Sequence, residues 1–207
     1  MSRKKGKLYV ITGPSGTGKG SICKEILKDI ENEFSVSMTT REAREGEIHG
    51  KDYFFVTEEE FLDNIEKGNF LEHARVFGNL YGTPKDMVIK QLERGRNVIL
   101  DIDVQGALQV KKAMPEALMI FLLPPSLGEL RKRLEGRGTD KADVIEKRLS
   151  GAVSEIKLIG EYDYYVINDE IDTAISKVKS IMTAEKCRVP DKVRDIIKKY
   201  EQEEKGE

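Results

Sequence analysis

A glycine-rich turn between a short apolar run and a helical pattern constrains the fold of this chain more than any other feature. The apolar run spans Leu8 to Ile11, and the turn that follows it reads GPSGTGKG over residues 13–20. This turn matches the pattern G-x-x-x-x-G-K-S/T at every position except the last, where Gly20 replaces a hydroxyl residue. When such a turn joins a strand to a helix, its backbone N–H groups encircle a phosphate chain and its lysine, here Lys19, reaches the terminal phosphate groups. We therefore expect an α/β fold that binds a nucleotide; the alternative is a glycine-rich turn with a chance lysine.

The predicted phosphate contacts cover the whole turn and the start of the helix after it. Glycines are needed there because a Cβ would obstruct the close approach of a phosphate group to the backbone. The predicted contacts are Gly13, Pro14, Ser15, Gly16, Thr17, Gly18, Lys19, Gly20 and Ser21.

The missing hydroxyl at position 20 changes the expected metal chemistry. The nearest hydroxyl, that of Ser21, would point about 100° away around a regular helix, so we do not expect the turn to ligate Mg²⁺ directly. The apolar run Val98 to Leu100 ends in Asp101, where a fold with such a turn places its metal-organising acid. Asp101 is therefore the predicted metal ligand, acting together with water. Capping of the next turn is the alternative role for both Asp101 and Asp103.

Composition and charge limit the classes of partner. Among 207 residues, 35 Lys and Arg stand against 37 Asp and Glu, and the net charge of -2 provides no positive field for nucleic acid. The longest apolar run, Ala117 to Leu123, is far shorter than the roughly 20 residues that a membrane-spanning helix needs. The two cysteines, Cys23 and Cys187, lack the spacing of a metal site or a disulfide framework, and the opening residues do not form an export signal. We expect no nucleic-acid partner, no membrane contact and a location in the reducing cytoplasm.

Short apolar runs alternate with longer amphipathic stretches along most of the chain. Four runs have the length and the β-branched or aromatic content of strands buried in a parallel sheet. They are Leu8 to Ile11, Val98 to Leu100, Leu118 to Leu123 and Tyr164 to Ile167. We expect them to form a three-layer α/β/α core with a parallel sheet. This core is predicted to comprise residues 1–36, 93–125 and 161–207.

Two segments interrupt this alternation. Residues 37–92 combine short apolar runs with a capping box at Thr57, and they are expected to form an inserted α+β region. Residues 126–160 contain a helix that begins at Ser126, a glycine-flanked bend, and a long helical pattern from about Ala142 to Ile159. Two helices around such a bend are expected to form a mobile lid.

A second anion site is indicated by Arg41 and Arg44, which follow the hydroxyl-rich segment Ser35 to Thr40. Each planar guanidinium can donate two parallel charge-assisted hydrogen bonds, which suits a phosphate dianion. Taken alone, two arginines on a solvated surface are the alternative. In the context of the glycine-rich turn, the pair indicates a site for a nucleoside monophosphate.

Six motifs occur in one order along the chain. They are Gly13-Pro14-Ser15-Gly16-Thr17-Gly18-Lys19, Ser37-x-Thr39-Thr40-Arg41-x-x-Arg44, Gly50-Lys51-Asp52-Tyr53, Tyr81-Gly82-Thr83, Leu100-Asp101-Ile102-Asp103-x-Gln105-Gly106 and Leu134-Glu135-Gly136-Arg137-Gly138. In order and spacing, from about Gly6 to Thr183, the chain resembles the guanylate kinase family. Ala43 stands where that family commonly has proline.

The resemblance implies two sets of contacts with GMP. Guanine presents N1–H and an exocyclic NH₂ side by side, and the acceptor-only carboxylate of Glu72 can take both hydrogen bonds. Adenine presents a bare N1 acceptor at the same place, so we expect the site to reject it. Without the resemblance, Glu72 would equally suit a surface strand. The implied phosphate contacts are Arg41, Arg44, Tyr53 and Tyr81, and the implied guanine contacts are Ser37, Glu72, Thr83 and Asp103.

The resemblance also implies that arginines of the lid contact the phosphoryl group during transfer. Phosphoryl transfer depends on positioning and on cations rather than on a covalent nucleophile. The predicted catalytic residues are Lys19, Arg44, Arg137 and Arg148. Beyond the turn, the predicted contacts with the adenine nucleotide are Arg133, Asn168 and Asp169. A solvated helix face is the alternative for Arg133, and an ordinary turn is the alternative for the Asn-Asp pair.

These expectations describe an Mg²⁺-dependent kinase that converts ATP and GMP to ADP and GDP in purine nucleotide metabolism, acting as a monomer or a homodimer. One alternative is an AMP-type nucleoside monophosphate kinase. Another is a non-catalytic guanylate-kinase-like module that holds a phosphorylated peptide at Arg41 and Arg44. The intact glycines and Lys19 favour the kinase over that module.

Overall fold

The computed structural model describes residues 5–76, 78–136, 142–189 and 193–204. The strands are β1 (Leu8–Thr12), β2 (Asn32–Phe34), β3 (Met38–Thr39), β4 (Phe54–Phe55), β5 (Phe70–Val76), β6 (Asn79–Pro84), β7 (Asn97–Asp101), β8 (Leu118–Leu123) and β9 (Tyr164–Ile167). The helices are α1 (Lys19–Ile26), α2 (Glu58–Glu66), α3 (Lys85–Glu93), α4 (Val104–Ala113), α5 (Leu127–Glu135), α6 (Ala142–Ile156), α7 (Ile171–Lys186) and α8 (Arg194–Glu204). Within the described ranges, no helix has both the length and the apolar character needed to cross a bilayer.

β1 lies at the centre of a five-stranded sheet in the order β2-β7-β1-β8-β9. All strand pairings in this sheet are parallel. Val10 of β1 pairs with Leu100 of β7 on one side and with Met119 of β8 on the other. The four strands predicted from apolar runs are present, which confirms the α/β fold with a parallel sheet. The sequence pattern does not indicate β2, because Asn32–Phe34 is an edge strand with a single apolar residue.

Helices cover both faces of this sheet, so its central strands are apolar at nearly every position. Tyr9 and Ile11 pack with residues of α1 and α7 on one face. Leu8 and Val10 pack with residues of α3 and α4 on the other. Every residue of β1 is at most 2% exposed. A strand buried on both faces loses the polar–apolar alternation of a half-exposed strand, as the sequence predicts for a three-layer core.

A second sheet of four strands, in the order β4-β3-β6-β5, forms within residues 37–92. The helix α2 packs beside it and begins at the predicted capping box, in which Thr57 and Glu60 exchange side-chain and backbone hydrogen bonds. Phe61 of α2 is fully buried and stacks on Phe70 with ring centroids 4.5 Å apart. The segment therefore has the α+β architecture expected of it, and its limits as a domain stay a prediction.

The helices α5 and α6 share a small apolar cluster separate from the main core. Its members are Leu130, Leu134, Ile145, Leu149 and Ala152. α5 begins at Ser126, whose hydroxyl accepts a hydrogen bond from the backbone of Glu129. α6 is shorter than the helical pattern, because it ends at Ile156 and the chain then forms a short 3₁₀ turn at Ile159–Glu161. The bend between the two helices falls at residues 137–141, outside the described residues, and the mobility of the lid stays a prediction.

Candidate active site

The predicted phosphate-binding turn runs from the end of β1 into α1. Gly13 and Gly18 have φ angles of 140° and 89°, which residues with side chains rarely adopt. Their backbones also lie too close to neighbouring groups for a side chain. A Cβ on Gly13 would lie 2.2 Å from the carbonyl oxygen of Leu122, and one on Gly18 would lie 2.4 Å from the side-chain nitrogen of Asn168. Glycine is therefore required at both positions by the packing of the protein.

Lys19 places a positive charge over this turn. Its ammonium donates hydrogen bonds to the carbonyl oxygens of Gly13 and Pro14, at 2.6 and 3.2 Å. The fully buried hydroxyl of Thr17 donates to the same carbonyl of Pro14 at 2.8 Å. An ammonium beside the backbone N–H groups of a helix N-terminus favours a polyanion. The arrangement can hold the phosphate chain of a nucleotide.

The structure brings Arg133, Asn168 and Asp169 together beside the turn. The amide of Asn168, whose side chain is buried, donates to the carbonyl of Thr17 at 2.7 Å. Arg133 donates to the carbonyl oxygens of Asn168 and Asp169, at 3.0 and 3.3 Å. In this conformation Arg133 and Asn168 support the turn, and the contacts of all three residues with an adenine nucleotide stay predictions.

One of the two lid arginines predicted to be catalytic contacts the turn directly. Arg148 lies on α6 and donates to the hydroxyl of Ser15 at 2.8 Å. This hydrogen bond links α6 to the turn at Ser15. The other predicted arginine, Arg137, lies outside the described residues.

Glu155 lies seven residues after Arg148 on α6 and is absent from the sequence-based predictions. Seven residues correspond to about two helical turns, so the two side chains share one face of the helix. Burial raises the pKa of the half-buried Glu155 carboxyl, the charge of Lys19 lowers it, and the charge of Asp103 raises it further. Glu155 is therefore within electrostatic reach of the phosphate-binding turn. A single acid on an amphipathic helix gives no sequence signal of such a contact.

Asp101 ends β7 beside the start of α1. A Cβ on Gly20 would lie 3.9 Å from a carboxylate oxygen of Asp101, so the position that lacks the hydroxyl adjoins this acid, while Ser21 is exposed. Burial raises the pKa of Asp101, and the charge of Lys19 acts in the opposite direction. In the part of the chain that the structure describes, no three His, Cys, Asp or Glu side chains are grouped to hold a metal ion. Mg²⁺ commonly keeps several waters and uses one or two carboxylates together with substrate phosphates, so Asp101 fits a metal that arrives with a nucleotide.

On the acceptor side, Arg41 is held by a carboxylate that the sequence analysis missed. Both oxygens of Glu47 accept hydrogen bonds from Arg41, at 2.8 and 2.9 Å, and one of them also accepts from the backbone N–H of Arg44 at 2.8 Å. The guanidinium carbon of Arg41 lies 5.5 Å from the ring centre of Tyr53, whose ring is 6.0 Å from that of Tyr81. Three of the predicted phosphate contacts therefore meet at one place, and the exposed Arg44 follows in the same loop.

The pairing with Glu47 fixes the guanidinium of Arg41 beside Tyr53. The hydrogen bond from Arg41 lowers the pKa of Glu47, so the carboxylate stays ionised and holds the guanidinium in position. A phosphate dianion must share that guanidinium with Glu47 or take its place. Residues 41–47 form a loop, so the i,i+3 and i,i+4 spacing of charged pairs on a helix gives no signal for this contact.

Three of the four predicted guanine contacts, Glu72, Thr83 and Asp103, lie together where β5 meets the start of α4. The hydroxyl of Thr83 donates to Oε1 of Glu72 at 2.6 Å, and neither residue is more than 8% exposed. Burial raises the pKa of Glu72, the Thr83 hydroxyl lowers it, and the charge of Asp103 raises it. Asp103 also caps α4 by accepting from the backbone N–H of Gly106 at 2.8 Å, which is the alternative role considered for it. Ser37 is half-buried next to β3.

Known proteins resemble this chain in sequence and in fold. A sequence-family model described as guanylate kinase matches residues 5–185. A guanylate kinase of Clostridium tetani is 52% identical over 194 residues, which cover 94% of this chain and 93% of that protein. Another, of Caldanaerobacter subterraneus subsp. tengcongensis, is 50% identical over 202 residues, which cover 97% and 98% of the two chains.

The chain belongs to the guanylate kinase family. A crystal structure of guanylate kinase from Anaplasma phagocytophilum is also similar, with a TM-score of 0.70 at 36% identity over 91% of this chain and 90% of that chain. These findings confirm the resemblance carried by the six motifs and the predicted fold class.

Replacement of Glu72 by Gln should change stability in a pH-dependent way. Because the folded state raises the pKa of Glu72, its ionisation opposes folding. Below the pKa of an unfolded glutamate the side chain is neutral in both states, and Glu72→Gln should have little effect. As the pH rises through the folded-state pKa, the wild type must bury a charge, and the variant should become more stable than the wild type by about 1 kcal/mol.

Urea unfolding at pH 4 and pH 7.5 measures this difference. Glu66→Gln, at an exposed position near the end of α2, controls for the loss of one negative charge. A Glu72→Gln variant that is less stable than the wild type by the same amount at both pH values would contradict the expected burial of charge.

Proposed function

We propose that this chain transfers the γ-phosphoryl group of ATP to GMP and so forms ADP and GDP. The observation that carries the proposal is the position of two acids at the carboxyl end of β7. Asp101 adjoins the start of α1 and the phosphate-binding turn, whereas Asp103 lies within electrostatic reach of the buried Glu72. The proposed site for the phosphates of ATP and the proposed site for the base of GMP are therefore joined by the short segment 101–103.

Glu72 selects guanine in this proposal. Its ionised carboxylate can accept hydrogen bonds from N1–H and the exocyclic NH₂ of guanine at the same time. Thr83 fixes one carboxylate oxygen, and both side chains are buried. Adenine would leave the carboxylate without donors, and a buried acceptor without a donor is costly. Ser37 and Asp103 complete the proposed guanine contacts.

Arg41, Arg44, Tyr53 and Tyr81 hold the phosphate of GMP. The contact between Glu47 and Arg41 keeps the guanidinium beside Tyr53 before the nucleotide arrives. The exposed side chain of Arg44 is free to turn toward the donor phosphate, which suits a role in transfer as well as in binding.

The transfer itself depends on placed positive charges. Lys19 lies over the glycine-rich turn, and Arg148 reaches the same turn from the lid through Ser15. The transferred phosphoryl group carries its charge on equatorial oxygens, and such cations stabilise that charge without a covalent intermediate. Arg137, in the same lid, is assigned the same role.

Mg²⁺ is the proposed metal, held by Asp101 through water together with the nucleotide phosphates. When bound, it neutralises part of the negative charge on the phosphates. Asp101 suits this role because it is a partly buried acid at the end of β7 and adjoins the position where the turn lacks a hydroxyl.

The remaining assignments follow from the division of the chain. We assign residues 37–92 to GMP binding and residues 126–160 to a lid whose closure excludes water from the reacting phosphates. The substrates are ATP and GMP, the chain acts as a monomer or homodimer, and nucleic acid and membranes are not partners. Both cysteines are free thiols, which suits the cytoplasm.

Comparison of acceptor nucleotides tests this proposal. With ATP as donor, kcat/KM for GMP should exceed that for AMP by about 10⁴-fold, because only guanine satisfies Glu72. A coupled assay of ADP release measures kcat/KM for each of the two acceptor nucleotides. Preference for AMP would contradict the guanine assignment, and failure of ATP to bind in a calorimeter would favour a phosphopeptide-binding module.

Removal of the lid arginine that contacts the turn should slow transfer. We expect Arg148→Ala to lower kcat by about 10³-fold, as loss of a catalytic arginine typically does, with a small effect on KM for GMP. The matched control is Arg131→Ala, since Arg131 lies on α5 and pairs with Glu146 at 2.5 and 3.1 Å. Pre-steady-state and steady-state rates should show no more than about a twofold change for that control. Equal effects of the two substitutions would assign Arg148 to lid stability alone.

A further inference from the structure

Gly106 is a buried glycine in the first turn of α4, directly beside the carboxylate of Glu72. A Cβ built on Gly106 would lie 3.0 Å from Oε2 of Glu72, 3.4 Å from its Cδ and 3.5 Å from Oδ1 of Asp103. Heavy atoms in favourable contact are about 3.5 to 4.0 Å apart. The carboxylate of Glu72 could not keep its position if residue 106 had a side chain.

The two carboxylate oxygens of Glu72 have different neighbours. Oε1 accepts a hydrogen bond from Thr83 at 2.6 Å, whereas Oε2 faces Gly106. Thr83 is fully buried and Glu72 is 8% exposed, so the carboxylate cannot turn toward solvent without losing that bond. A Cβ at position 106 would therefore displace the carboxylate against its hydrogen bond with Thr83.

Thr83 also bears on the charge of Glu72. Burial and the charge of Asp103 raise the pKa of the carboxyl, whereas its hydrogen bonds with Thr83 lower it. Only the ionised carboxylate can accept both N–H groups of guanine, so a shift of the carboxylate away from Thr83 would disfavour the form that recognition needs.

We propose that Gly106 is a positioning residue for guanine recognition. Its missing side chain lets the carboxylate of Glu72 lie against the first turn of α4 in the orientation that meets N1–H and NH₂ of guanine. This inference rests on the proposed function, and Gly106 acts through Glu72 rather than on the substrate.

The neighbours of Gly106 distinguish it from a glycine needed for packing alone. A Cβ on Gly82 would lie 2.8 Å from the ring of Phe70 and 3.0 Å from that of Phe61, so that glycine leaves room for core side chains. At Gly106 the close atoms belong to the far end of a flexible acid assigned to base recognition. A side chain at position 106 should therefore disturb binding of GMP before it disturbs the fold.

The test is Gly106→Ala, assayed for turnover with ATP and GMP. We expect KM for GMP to rise about tenfold, since a misplacement of about 1 Å can cost about 10²-fold and the displacement here is a few tenths of an ångström. The kcat and the KM for ATP should stay within about twofold, because the glycine-rich turn is untouched. The matched control is Gly151→Ala, at an exposed helical glycine where an added Cβ meets no atom within 4 Å. It should leave all three constants unchanged.

A second substitution separates pressure on Glu72 from a general effect. Glu72→Asp withdraws the carboxylate by one methylene, so Gly106→Ala should raise KM for GMP much less in that background than in the wild type. An unchanged KM for GMP, an equal rise in KM for ATP, or equal effects in both backgrounds would each overturn the proposal. Should Gly106→Ala fail to fold, the double variant should fold, and failure of the double variant as well would overturn the proposal.

Binding of GMP alone, measured by calorimetry, keeps this test distinct from the test of the reaction. A wild type that binds GMP without phosphorylating it would overturn the proposed function, while the effect of Gly106→Ala on GMP affinity would still decide the role of Gly106. A wild type that does not bind GMP would overturn both.

Discussion

Three separate parts of the chain press against the Gly13 to Gly18 turn at the points where its glycines lack a Cβ. They are the carbonyl of Leu122 at the end of β8, the side chain of Leu130 in α5 and the amide of Asn168 after β9. The path of the turn is therefore set by the core sheet and α5 together. Its N–H groups are held in place before any phosphate arrives, and such preorganisation lowers the cost of binding and of transfer.

Three acids of the candidate site are ones that folding alone would disfavour. Burial raises the pKa of Glu72, Asp101 and Glu155, so ionisation of each of these side chains lowers the stability of the folded state. The charge of Lys19 favours ionisation of Asp101 and Glu155, whereas the hydrogen bond from Thr83 favours ionisation of Glu72. Perturbed acids of this kind cluster at functional sites, because the ligand supplies the partners that the protein lacks.

Local patterns predicted the parts of the structure that local interactions determine. The strand at Leu8 to Ile11 and the capped helix after Thr57 lie where the sequence places them, because periodicity and capping act over a few residues. The contacts of Glu155 and Gly106 were not predictable, since they join segments that only the tertiary fold brings together. The short edge strand β2 was missed because it lacks an apolar pattern. In the site, the motifs indicated candidate residues, but the pairing of Arg41 with Glu47 depends on how the loop folds and is evident only in the tertiary structure.

If the glycine-rich turn and the Arg41 site hold their nucleotides end to end, a single compound that joins adenosine and guanosine through a chain of phosphates should occupy both. Once one half of this compound is bound, the other half binds intramolecularly. The affinity of the compound should therefore exceed that of ATP or GMP by about 10²-fold or more. Calorimetric titration, repeated with ATP and then with GMP as competitor, measures this most directly. We expect tight binding that either nucleotide weakens. An affinity no higher than that of ATP, or no competition by GMP, would contradict the adjacency of the two sites.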